Sequence, residues 1–83
     1  MLTVGNYIEN VKCESFIDPE TGRIRVRPLP GQGLSTKLVI SCYMKLRKAH
    51  PVGTKFITDN VLVCQQENDR IYLYAKDKMI YKI

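Results

Sequence analysis

Asp18-Pro19-Glu20-Thr21-Gly22 is the segment that leaves this chain least choice. Proline presets the turn, aspartate can bond its own backbone two residues on, and glycine accepts a positive φ. The segments on either side alternate. From Gly5 to Ile17 the odd positions Tyr7, Val11, Cys13 and Ile17 are mostly apolar, and Asn10, Lys12 and Glu14 between them are polar. Arg23-Ile24-Arg25-Val26-Arg27 alternates without a fault. A period of two on both sides of a tight turn predicts an antiparallel hairpin. Ile24 and Val26 should face the core, which leaves three arginines in a row on the opposite face.

Downstream, Pro28-Leu29-Pro30-Gly31-Gln32-Gly33 cannot continue a central strand, because its prolines remove ladder donors and its glycines are costly to order. Ser35 to His50 fits both periods. Its β-branched Val39 and Ile40 favour a strand early, and Met44 to Ala49 favours a helix late. The expectation is a strand over 36–41, Ser41 as helix N-cap, and a short helix 42–49 ended by Pro51. Val52-Gly53-Thr54 turns into a strand Lys55–Thr58, which Asp59-Asn60 interrupts. Val61–Cys64 is apolar on both faces and belongs in the centre of a sheet. Two more strands, Arg70–Ala75 and Met79–Ile83, flank Lys76-Asp77-Lys78, with Tyr72 and Tyr74 on one face and Ile71 and Leu73 on the other. The fold expected is α+β but mainly β: a small curled antiparallel sheet or partly open barrel of about six short strands with one short helix.

Eighty-three residues make a single domain, 1–83, too short for a second core. An apolar content of 45% and a charged content of 25% are those of a folded protein rather than a disordered one. Apolar residues come in short runs, well below the roughly 20 in succession that a membrane helix needs, so no membrane partner is expected. The start Met1-Leu2-Thr3-Val4 lacks the basic and apolar regions of a secretory signal, and three cysteines leave one over in any disulfide scheme. Both observations predict a cytoplasmic protein with reduced thiols. Cys13, Cys42, His50 and Cys64 are separated by 28, 7 and 13 residues, which contain no close pair of the kind zinc sites use, so no metal or other cofactor is expected.

Charge is distributed very unevenly. Thr21–Thr58 carries eight basic residues, Arg23, Arg25, Arg27, Lys37, Lys45, Arg47, Lys48 and Lys55, and no Asp or Glu. A one-signed segment raises self-repulsion on folding, and a polyanionic partner is a common reason to tolerate it. Alternate strand residues lie about 6–7 Å apart, close to a phosphate repeat, and guanidinium grips phosphate bidentately. The competing expectation is a solvated face with Glu9 or Glu14 as cross-strand partners. Tyr72 and Tyr74, with Tyr43 or Tyr81, offer a candidate stacking surface for single-stranded nucleic acid.

No catalytic constellation competes with these features. His50, the one histidine, sits at an expected helix end, where it would meet the last carbonyls, and no pair of acids has a catalytic spacing. Gly31-Gln32-Gly33-Leu34-Ser35-Thr36-Lys37 lacks the Gly-Lys-Ser/Thr order of a phosphate loop, although Lys37 and amides near Gly33 could hold one phosphate of a polymer. The expected function is a small, basic, non-catalytic nucleic-acid-binding module for DNA or RNA. The alternative is a protein-interaction module or inhibitor that docks its basic face on an acidic partner. An exposed strand edge would also let so short a chain form a homodimer.

Overall fold

The structure, a computed structural model, describes residues 2–83. Its strands are β1 (Tyr7–Glu9), β2 (Lys12–Ile17), β3 (Ile24–Pro28), β4 (Ile40–Ser41), β5 (Lys55–Ile57), β6 (Asn60–Gln65), β7 (Ile71–Ala75) and β8 (Tyr81–Lys82). A helix α1 (Met44–Lys48) follows β4, and a 3-10 turn, Lys76–Lys78, precedes β8. Two four-stranded sheets result, in the orders β1-β6-β7-β4 and β3-β2-β5-β8. All neighbours are antiparallel except β4 and β7, and the sheets do not close on each other. The mainly-β class is as expected. The strands number eight rather than about six, and the chain changes sheet at two places: at Asn10, inside a segment that the alternation reads as one strand, and at the break expected at Asp59-Asn60.

Those two places face each other. Residues 7–17 and 55–65 run antiparallel in one register, with Tyr7 opposite Leu62, Glu9 opposite Asn60, Lys12 opposite Ile57 and Glu14 opposite Lys55. Between the two paired stretches both segments bend, and each half joins a different sheet. Asn10 takes a left-handed φ of 53°, a conformation asparagine tolerates better than most side chains, and its N–H donates to the Asp59 carbonyl at 2.8 Å. Thr58 N–H donates to the Val11 carbonyl at 3.0 Å, and Val11 N–H donates to Thr58 Oγ1 at 3.2 Å. Bends of this kind make the corners of packed sheets.

The corner reverses the alternation. Val11, Cys13 and Ser15 are buried, but Tyr7 is 63% exposed, while Ile8 packs on the core. The alternation that groups Tyr7 and Ile17 with Val11 and Cys13 on one face is therefore corrected: Tyr7 lies before the corner, and Ile17 lies past the edge of the core and is exposed.

The hairpin forms as expected. Gly22, at φ 72°, donates to the Asp18 carbonyl at 2.7 Å, Glu20 N–H donates to Asp18 Oδ1 at 2.9 Å, and Ile17 stands opposite Ile24. One apolar cluster fills the space between the sheets. Cys13, Val26 and Phe56 come from one side, and Ile40, Val61, Val63, Leu73 and Ala75 from the other. Each fully buried large apolar side chain contributes about 1.5–3 kcal/mol.

Ser35–His50 needs two corrections. The strand expected over 36–41 shortens to Ile40–Ser41, because Lys37 N–H turns back to Ser35 Oγ at 3.1 Å and Leu38 N–H to the Ser35 carbonyl at 3.3 Å. The helix expected over 42–49 covers Met44–Lys48, with Tyr43 rather than Ser41 at its N-cap and no side-chain capping bond. Ser41 is held in β4, paired with Tyr74, and Tyr43 N–H is taken by the Lys78 carbonyl at 3.0 Å.

Candidate nucleic-acid interface

The arginine row lies on the outer face of β3 as its alternation requires, but carboxylates sit within it. Glu14 stands between Arg27 and Lys55 across three strands, and its Oε1 accepts from Arg27 Nε at 3.2 Å. The Arg27 guanidinium also stacks over the Phe16 ring, 4.6 Å from its centroid. Arg25 Nε lies 3.0 Å from Asp18 Oδ2. Its N–H does not point at that oxygen, so the pair is a charge contact and Arg25 Nε stays buried without a hydrogen bond. Arg23 is exposed at the end of the hairpin, with its N–H on Thr21 Oγ1 at 3.3 Å. The row is thus partly neutralised and does not form a free phosphate track.

The eight sequence-predicted cations do not share one surface. Lys45 and Lys48 are exposed on α1, and Lys55 is on the outer face of β5. Three of the eight do converge. Where β3, an edge of one sheet, packs without pairing against β4, an edge of the other, the seam holds a groove of about 550 Å³. Arg25 from β3, Lys37 from the turn before β4, Arg47 from α1 and Arg70 from the residue before β7 line it. Asp18 and Glu20 are also in its wall, leaving four cations against two carboxylates. Arg47 Nη1 donates to the Cys42 carbonyl at 3.2 Å, but Arg47 Nε is buried with no hydrogen-bond partner among the described residues. A buried donor left so costs about 1–3 kcal/mol, and more on a charged group. Arg70 did not figure among the sequence candidates. The signal was available, since Arg70, Tyr72 and Tyr74 alternate in phase on one strand and so share a face.

Tyr72 joins this groove to a second surface. Leu73 and Ala75 are fully buried, so Tyr72 and Tyr74 point away from the core, and both are half-buried. Tyr74 stands opposite Leu62, and Leu62 stands opposite the exposed Tyr7. Tyr72 stands opposite Cys64, and the negative charge that Cys64 carries as a thiolate, followed by burial, holds the phenol above its usual pKa. Three tyrosines thus occupy the outer face of the β1-β6-β7-β4 sheet, and Tyr72 also lines the groove. Tyr43 and Tyr81 are elsewhere. Tyr43 lies under the Lys78 ammonium, 5.7 Å from its ring centroid, and Tyr81 on β8 donates to Asp59 Oδ2 at 3.3 Å. Tyr7 was missed because only the corner at Asn10 turns it outward.

The remaining candidates have structural surroundings. His50 packs against Phe56, with ring centroids 5.8 Å apart, rather than on helix carbonyls. Gln32 in the glycine loop is spent on Lys12: its Oε1 accepts from Lys12 N–H at 2.8 Å and its Nε2 donates to the Lys12 carbonyl at 2.7 Å. Cys13 and Cys42 are buried and Cys64 is partly exposed, all as free thiols. Burial pushes Cys13 up to about 12 and also raises Cys42, the latter opposed by the nearby Arg47. Among the described residues no group of three or more His, Cys, Asp or Glu could hold a metal, and no helix is long and apolar enough to cross a membrane. Comparison with family models, with curated proteins and with solved structures gives no match to this chain.

Proposed function

We propose that this protein is a non-catalytic module that binds single-stranded nucleic acid, with bases stacked on the tyrosine face and phosphate held in the groove. The observation that carries the reading is the position of Tyr72, which belongs both to the outward tyrosine face and to a groove lined by four cations. Aromatic side chains on an open sheet face accept any base, and each stacked base contributes about 1–3 kcal/mol. A duplex hides those base faces, so single strands should be preferred. The three free thiols agree with work in a reducing, cytoplasmic setting.

Fluorescence anisotropy with oligothymidine, oligouridine and a duplex of equal length tests the proposal. Log affinity for a single strand should fall with log salt, with a slope of roughly −0.7 for each phosphate neutralised in the groove. Tyr74→Ala should weaken binding about tenfold or more. No binding at low salt, or a preference for duplex, would overturn the reading. A second reading, docking on an acidic protein, is favoured by Tyr43 and Met44, each 51% exposed beside Lys45 and Lys48. A partner that stays bound after nuclease treatment and is lost on Met44→Glu would support it over the first.

A further inference from the structure

We infer that the groove captures the end of a strand, a terminal phosphomonoester, rather than an internal phosphodiester; this rests on the single-strand reading above. Charge is the first ground. The groove wall carries Arg25, Lys37, Arg47 and Arg70 against Asp18 and Glu20, a formal excess of two positive charges. A phosphomonoester carries about −1.5 to −2 at neutral pH, which matches that excess, whereas an internal phosphodiester carries a single negative charge.

Direction is the second ground. Tyr72 on β7 and Arg70 just before it line the groove, and Asp18 and Glu20 line it from the β2–β3 hairpin, so a strand that crosses it from the tyrosine face is met by carboxylates. The next arginine along β3, Arg27, is held by Glu14. A continuing backbone would run into carboxylates where it needs cations, so the favourable track stops inside the groove. Unanswered donors are the third ground. Arg25 Nε and Arg47 Nε are the buried side-chain donors left without a hydrogen bond among the described residues, and both side chains line this groove. A group with three exposed oxygens is the ligand best able to answer guanidinium groups converging from β3 and α1.

The test uses single-stranded octamers of thymidine and of uridine with a 5′-phosphate, a 3′-phosphate, or hydroxyls at both ends, each labelled away from the phosphate. Affinity is read by anisotropy on the full chain. One phosphorylated end should bind about tenfold tighter than the hydroxyl oligomer, the gain expected of one charge-assisted hydrogen-bonded contact. Lys37→Ala and Arg70→Ala should each remove most of that excess. Both residues are exposed, with no side-chain ion pair among the described residues, so these variants should fold. Tyr74→Ala should weaken all the oligomers by a similar factor and leave the excess intact. Equal binding of phosphorylated and hydroxyl ends would overturn this inference and leave single-strand binding standing. A preference that survives both Lys37→Ala and Arg70→Ala would overturn it too, because the phosphate would then sit elsewhere. If no oligomer binds at low salt, the proposed function falls and the inference falls with it.

Discussion

A guanidinium already held by a carboxylate has to give up that partner before it can take a phosphate. Arg27, 3.2 Å from Glu14 and stacked on Phe16, is in that position; Arg25 lies 3.0 Å from Asp18 but its Nε makes no hydrogen bond there, and Lys37 and Arg70 have no carboxylate partner among the described residues. Arg27→Ala should therefore change single-strand affinity by less than about twofold, while Arg70→Ala costs about tenfold; anisotropy measured side by side would show equal losses if the row were the binding track after all. The thiols give a prediction of a different kind. Cys13 is pushed up to about 12 by burial against an ordinary value of 9.0. Between those values the unfolded chain has lost this proton and the folded chain keeps it, so unfolding releases a proton and stability falls as pH rises. Below 9 the contribution is constant. From pH 9 to 11, the wild type should lose up to about 1.4 kcal/mol per pH unit more than Cys13→Ala. Urea unfolding at pH 8 and 10.5 reads that difference, and parallel slopes for the two proteins would show that Cys13 does not titrate with folding.

At the scale of elements, the corner between the sheets uses one buried hydroxyl beside its backbone hydrogen bonds. Thr58 is buried, and its Oγ1 accepts the Val11 N–H at 3.2 Å inside the strand pair that bends there. Thr58→Val keeps the shape and strands that N–H, so it should cost about 1–3 kcal/mol, a fall in Tm of roughly 4–8 °C per kcal/mol for a domain of this size. Thr58→Ser keeps the hydroxyl and should cost less, in a thermal melt of the three proteins together. The corner also marks where reading the sequence stops short. The hairpin at Asp18–Gly22, the central place of β6, the break at Asp59-Asn60 and the segment Ile71–Ala75 are all local in origin and were legible from period and turn chemistry. Whether residues 7–17 stay in one sheet or pass into a second is not local. It depends on Val11 and Thr58 meeting across 47 residues of chain, and alternation runs through Asn10 without recording it. For the same reason Ser41, a plausible cap in sequence, became part of a strand once β7 was available to pair with it.

For the molecule as a whole, the excess of positive charge was legible and its placement was not. Arg25, Lys37, Arg47 and Arg70 come from four separated segments, and only the packing of one sheet edge against another brings them to one groove. Five of the eight cations in the acid-free stretch point elsewhere because helix and strand faces turn them there. Side-chain packing alone holds β3 to β4 across that seam, so a ligand that engages Arg25, Arg47 and Arg70 together ties one sheet to the other. Linkage then sets the expected size of the effect. A single strand that binds only the folded chain, present at a hundred times its Kd, should stabilise it by about 2.7 kcal/mol. That corresponds to a rise in Tm of roughly 10–20 °C. The protection should also be local. Amide exchange followed by mass spectrometry should slow most in the peptides that carry Lys37–Ser41 and Arg70–Tyr74, and least around β8, which lies on the other sheet at its far edge from β3. A rise in Tm with exchange slowed equally throughout, or slowed first at β8, would mean that the strand binds away from the seam, and the groove would lose its claim to be the site.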